Sequence, residues 1–254
     1  MKIKQLALVL GCWLLLAFPA LAAASLDLRI SPEVVEIGAF FHGGQVTVRG
    51  KIPPGAQAVM EVVGQTAVEH LMRRGRRGGL WMNVGEVDVQ GAPSLYLAMS
   101  TDPRLLQAPP AEGATWGYPA LKKGVSLGGR VEPGEQELFL EQFFKLKESE
   151  EIYAAFPGTV KVSGAAGDLK AVTGTFPLPT MVKPGTYQVC LTVIQDGQVI
   201  GKQFKDLKVA MVGFPAMLSS LAYQHGATYG ILAVVIAIVV GFAMGYLFKG
   251  GGGH

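Results

Sequence analysis

The segment Tyr229–Phe248 carries no charged side chain and is closed by Lys249. As a helix rising about 1.5 Å per residue it is roughly 30 Å long, the thickness of a bilayer's hydrocarbon core. A chain with such a segment must bury it in lipid or in protein, and residues 229–248 are expected to form a transmembrane helix. Gly226, Gly230, Ala233, Ala237, Gly241 and Gly245 recur along it. At about 100° per residue they share a sector roughly 120° wide. Small residues let helix backbones approach closely in lipid, where apolar side chains gain little from one another. Gly230, Ala233, Ala237, Gly241 and Gly245 are therefore the expected helix–helix interface. A homodimer and an integral membrane partner are equally open. The face holds no charge, so the helix offers no ion pathway of its own.

The N-terminus has an apolar segment of a different kind. Lys2 and Lys4 precede the apolar run Leu6–Phe18, Pro19 breaks it, and Ala20–Ala24 supplies small residues. That is the pattern of a secretory signal peptide over residues 1–24, with an uncleaved anchor as the alternative. Val9-Leu10-Gly11-Cys12 is only superficially a lipoprotein box, because Trp13–Leu16 continues the apolar run past Cys12. Cleavage places residues from about 25 to 225 outside the cytoplasm and the tail 249–254 inside. Lys249 at the inner end agrees with the positive-inside rule. The expected location is a bacterial inner membrane, crossed once, with a periplasmic ectodomain and a cytoplasmic C-terminus.

Charge narrows the function. The chain carries +3 at pH 7, and setting aside Lys2, Lys4 and Lys249 leaves basic and acidic residues equal at 19 each. A neutral ectodomain argues against nucleic acid as a partner. Cys12 leaves with the signal peptide, so Cys190 stands alone and no intramolecular disulfide can form. Its setting, Tyr187–Val193, reads as a strand with a buried inert thiol.

Most of the ectodomain reads as short strands. Leu26–Ile30, Gln45–Arg49, Val84–Val89 and Leu95–Leu97 alternate apolar and polar residues, and Ala58–Val63 is a more continuous apolar run. Gly43-Gly44, Pro53-Pro54-Gly55 and Gly78-Gly79 punctuate them. After residue 157 the pattern returns in Thr159–Val162, Leu169–Phe176, Tyr187–Ile194 and Val199–Val209, with Asp196-Gly197 as a hairpin turn. The expected fold is mainly β: an immunoglobulin-like β-sandwich ectodomain, as one or two sandwiches with a helical insertion, plus the C-terminal transmembrane helix. The expected divisions are an Ig-like β domain over 25–105, an irregular linker and amphipathic helix over 106–156, and a second Ig-like β region over 157–212. A juxtamembrane segment follows over 213–228, either an interfacial helix or the first turns of the span. Within 106–156, Phe139, Phe143 and Leu146, extended by Leu140 and Phe144, mark the apolar face of the soluble helix.

Chemical motifs are scarce. There is no GxSxG, HExxH, CxxC or P-loop, and His42, His70 and His225 are far apart in sequence. No catalytic residue, cofactor or metal site is expected, and the protein is read as non-enzymatic. Phe40-Phe41-His42-Gly43-Gly44 is either a hairpin tip with core aromatics or a tip exposing Phe41 and His42. Arg73, Arg74, Arg76 and Arg77 are the densest charge run, beside Trp81. Guanidiniums bind oxyanions bidentately, so this loop is a candidate site for sulfite, sulfate or a lipid phosphate. A solvated loop is the alternative.

Three phrases carry a resemblance: Ser31–Ile37, Phe40–Gly50 and Gly79–Asn83, together with the terminal helix ending Tyr246-Leu247-Phe248-Lys249. They resemble Alph_Pro_TM, a family of proteobacterial transmembrane proteins, over nearly all of the mature chain. The family's association with permeases that export sulfite or organosulfur anions implies an accessory role. The resemblance supplies no active-site residues. Two functions follow as expectations: an accessory or assembly subunit of a membrane complex such as that permease, or a periplasmic anion-sensing or solute-binding module using Arg73–Arg77.

Overall fold

The computed structural model describes residues 27–107, 115–129, 134–166 and 169–248. The expected signal peptide, part of the linker and the tail 249–254 lie outside them. The chain is mainly β, with sandwich-like sheets and one long C-terminal apolar helix.

The first layer is a four-stranded sheet in the order β1-β3-β11-β10, formed by β1 (Arg29–Ser31), β3 (Gly44–Ile52), β10 (Lys161–Ala166) and β11 (Leu169–Leu178). The second has the order β2-β13-β12-β4-β7-β9. Its strands are β2 (Val34–Ile37), β4 (Gln57–Val63), β7 (Tyr96–Ser100), β9 (Tyr153–Phe156), β12 (Gly185–Gln195) and β13 (Gln198–Met211). Alternation turns one face of each sheet inward. Val46, Val48, Val172 and Phe176 from the first layer join Met60, Val62, Leu97, Val189 and Leu191 from the second in one buried core. At Gly174 the layers approach so closely that a Cβ would stand 3.0 Å from the Met60 sulfur and 3.3 Å from that of Met99.

The two β regions share both sheets. β11 pairs with β3 from Lys170↔Ile52 to Leu178↔Gly44, and β12 pairs with β4 from Gln188↔Val63 to Ile194↔Gln57. Strands from residues 27–105 thus need strands from 157–212 to complete each layer. The two sheets stack as in a β-sandwich. The edges of the six-stranded sheet are parallel pairs, β13 with β2 and β7 with β9.

The turns follow their residue chemistry. Asp196 and Gly197 both have positive φ, 51° and 79°, as the tight β12–β13 hairpin requires. Tyr187, buried at the start of β12, donates its hydroxyl to the Lys183 carbonyl at 2.7 Å and fixes the entry to the strand.

A three-stranded sheet, β5-β6-β8, stands beside the sandwich. It comprises β5 (Glu69–Arg77), β6 (Leu80–Gln90) and β8 (Ser126–Gly129). Two short helices, α1 (Arg104–Gln107) and α2 (Gly117–Gly124), cover the outer face of the six-stranded sheet, where Trp116 packs with Val59 and Ile194. Helix α3 (Gln136–Ser149) buries Phe143 and Phe144, which meet Tyr118 and Tyr153 in edge-on or tilted aromatic contacts. Leu146, expected on that face, is exposed, and Lys147 is buried in its place. Lys147 ion-pairs with Glu69 at 2.5 Å and lies over the Phe143 ring, which rotates the buried stripe by one position. The last elements are α4 (Gly213–Gln224) and α5 (Gly226–Phe248), separated at His225 (φ −131°, ψ 49°). The juxtamembrane segment is thus a helix distinct from the apolar one.

Candidate functional site

Helix α5 is long and apolar enough to cross a membrane, and none of the other described residues buries it. Gly230, Ala233, Ala237, Gly241 and Gly245 all lie on its open surface. A Cβ at Gly230, Gly241 or Gly245 would meet nothing within 4 Å. Among the described residues nothing packs against this face.

Register defines the pole from which α4 and α5 leave. β13 ends at Met211, two residues past the Gly185↔Val209 pair at which β12 begins. The Val212 amide donates to the Ile37 carbonyl at 2.9 Å, which brings the end of β2 to the same pole. The loop after β2 therefore lies here as well. Its Gly43 sits against the Leu178 carbonyl at the end of β11. In that loop Phe41 packs against the core while Phe40 is 89 % exposed, so the aromatic presented is Phe40 rather than Phe41. His42 is exposed too, with Nδ1 2.7 Å from the Phe40 carbonyl. Helix α4 turns Ala216, Ser219, Ser220 and Tyr223 toward a cleft shared with Pro184 and Met211. Its opposite positions, Phe214, Met217 and Leu218, are exposed. Apolar residues spaced i, i+3, i+4 on the outward side of a helix are the arrangement of an interfacial segment.

The arginine run is on a strand. Arg73, Arg74, Arg76 and Arg77 all belong to β5, so the expected loop is corrected to one arm of a hairpin. The turn is only Gly78 and Gly79, with φ 59° and 84°, the left-handed geometry that a two-residue hairpin requires. Long, solvated side chains are tolerated on a strand with two open faces, and the run therefore resembled a loop in sequence. Alternation puts Arg73 and Arg77 on one face and Arg74 and Arg76 on the other. Arg73 donates to Glu135 Oε1 at 3.0 Å and stands 2.8 Å from Oε2, clamping β5 to the start of α3. The four guanidiniums do not converge on one anion. Toward the tip, Arg76 faces Trp81 and Arg77 faces Leu80 across the ribbon.

Two polar groupings were not foreseen. Glu61 sits in the middle of the apolar strand β4 and is 6 % exposed. Its Oε1 accepts from the Tyr96 hydroxyl at 2.5 Å and from the Gly117 amide at 3.0 Å. Burial pushes its carboxyl above the usual carboxylate range, against the pull of those two bonds and of the Lys202 cation. Burial and the adjacent Glu61 likewise hold the Tyr96 phenol far above its ordinary value. Cys190, across the ladder from Glu61, is buried with its thiol pushed up by the same desolvation, and its Sγ is 3.5 Å from Thr192 Oγ1. The signal in sequence was a carboxylate inside the run Ala58–Val63. The second grouping is His70, Glu86 and Asp88 on one face of the β5–β6 ribbon. Their ligating atoms all lie within 4.8 Å of one another, with His70 Nδ1 2.6 Å from Asp88 Oδ1. Considering only histidine pairs hid it, because the partners are carboxylates on the neighbouring strand. His70 and Glu86 are open to solvent and Asp88 is partly so; His70 is hydrogen-bonded to Asp88, while Glu86 stands 3.9 Å from the same Nδ1.

Fold and exposed helix together define a β domain joined to a candidate membrane span. The chain belongs to the family described as "Putative transmembrane protein (Alph_Pro_TM)", whose pattern matches residues 25–250. No curated protein is significantly similar to the chain.

Proposed function

We propose that this is a non-enzymatic, single-pass protein of a bacterial inner membrane, acting as an accessory or assembly subunit of a membrane complex. The β domain lies in the periplasm and the C-terminus in the cytoplasm. The observation that carries the reading is the open small-residue face of α5, against which nothing packs among the described residues. In lipid such a face gains most from a second helix that packs closely against it. Orientation is supported by Lys2 and Lys4 before the N-terminal apolar run and by Lys249 after the span. The family match beginning at residue 25, directly after the expected cleavage region, agrees with it. The absence of a recognisable catalytic motif in the sequence favours assembly over chemistry.

The family resemblance suggests the partner class: a multi-pass permease for sulfite or organosulfur anions, whose periplasmic mouth the β domain would cover. Affinity capture of the full-length protein from native membranes, followed by mass spectrometry, tests this. An integral membrane protein recovered with the wild type and lost with Gly241→Leu/Gly245→Leu is the expected result. Recovery of no membrane protein, with α5 intact, refutes the assembly role. An anion-sensing module using the arginine run is less favoured, since Arg73 is committed to Glu135 and the others divide between two faces.

A further inference from the structure

The β5–β6 hairpin is a prolongation of the sandwich. β4 ends at Val63, opposite Gln188 near the start of β12, and so runs toward the pole from which α4 and α5 depart. Beyond Val63 the ribbon continues. Gly64 donates to Leu95, Ser94 donates to Gln65, and Thr66 bridges Pro93 before β5 and β6 begin. The β5–β6 ribbon therefore leaves the domain at the helix pole. The nine residues of β5 add a reach of roughly 30 Å.

The tip has an unusual composition. From Leu71 to Gly85 there is no acidic residue, while Arg73, Arg74, Arg76 and Arg77 all lie within it. Arg73 alone has an ion-pair partner there, Glu135, among the described residues. Leu80 and Trp81 are 70 % and 73 % exposed, and Met82 is 46 % exposed. Uncompensated guanidiniums alternating with an exposed indole and long apolar chains match a bilayer interface, with phosphates above and acyl chains below. They fit poorly with solvent.

We propose that this hairpin is a second membrane contact. Leu80, Trp81 and Met82 enter the headgroup–acyl boundary of the leaflet next to the β domain, and Arg74, Arg76 and Arg77 hold anionic lipid phosphates. With α5 as the first attachment, the two contacts fix the orientation of the domain over the bilayer. The contact does not depend on whether α5 has a helical partner.

In a Trp13→Phe background Trp81 reports on it directly, because Trp116 is buried within the domain. The full-length protein is placed in vesicles of phosphatidylcholine and phosphatidylglycerol with bromine at shallow or deep acyl positions. Trp emission should be quenched at least twofold more by shallow than by deep bromine. Trp81→Phe should abolish that difference. Arg74→Gln/Arg76→Gln/Arg77→Gln, or vesicles of phosphatidylcholine alone, should reduce it by half or more. If Trp81 is reached by aqueous iodide and not by bromolipid, the contact does not exist and the tip faces water. If protection from iodide arises only when a partner protein is present, the tip is a protein-docking surface and the proposal falls. Quenching that survives the triple arginine change overturns the phosphate role.

Discussion

The bond between Tyr96 and Glu61 offers a clean perturbation. Tyr96 lies opposite Val63 on the neighbouring strand, two residues along from Glu61, so the two side chains share a face and meet diagonally. Tyr96→Phe keeps the ring and its contacts with Tyr118 and Tyr153, at 5.7 and 6.1 Å between centroids, and removes only the hydroxyl. The Gly117 amide is then the remaining donor to Oε1 among the contacts described. A hydrogen bond to a neutral acid contributes about 1 kcal/mol, and one to a buried carboxylate about 2–3 kcal/mol. The penalty should therefore depend on pH. The Tyr96 bond lowers the Glu61 pKa, so its loss raises that pKa further and the cost grows as pH rises through the titration of Glu61. For a domain of this size about 1 kcal/mol shifts Tm by roughly 2–4 °C. Thermal unfolding of the full chain in detergent, followed by near-ultraviolet circular dichroism over a pH series, should show a drop of about 2–4 °C where Glu61 is protonated, growing toward about 4–12 °C as rising pH ionises it. An unchanged Tm throughout the series, or a larger loss on the acid side, would refute the reasoning.

Glu61→Gln should act in the opposite sense. A carboxyl whose folded pKa is raised above the ordinary 4.5 keeps a proton in the folded chain that the unfolded chain has lost. Wild-type stability thus falls as pH rises above 4.5 toward the raised folded value, and the variant, which cannot titrate, should gain relative to it with rising pH in the same melting assay. Lys147→Met leaves Glu69 without its cation and α3 without its tie to β5. Because Glu69 is a quarter exposed, the expected cost is about 1–3 kcal/mol in denaturant unfolding. Adding Glu69→Gln to that variant should recover part of it.

Much of the fold was legible because the ladders alternate. Tyr187–Ile194, Val199–Val209 and the Asp196-Gly197 turn all lie where their pattern puts them, within β12, β13 and their connection. The apolar span was legible for a simpler reason, since no folded surface of this chain covers so many consecutive uncharged residues. Pairing partners were not legible. Nothing local in Leu169–Leu178 says that it zips onto Gly44–Ile52, more than a hundred residues earlier, yet that ladder joins the two β regions. The arginine strand was hidden because propensity follows side-chain environment, and a ribbon with one face in solvent and the other only half-covered imposes no strict apolar alternation. The buried acid was hidden because the covering amide, Gly117, is 56 residues away.

Binding of α5 to another membrane helix through one face can be tested directly. Single cysteines placed in the full-length protein at Ala233 and Ala237, and on the opposite side at Leu232 and Val239, can be cross-linked in native membranes. Adducts with one membrane protein, or with a second copy, are expected from Ala233 and Ala237 and none from Leu232 or Val239. Equal cross-linking from both faces, or none from either, would show that α5 does not bind through this face.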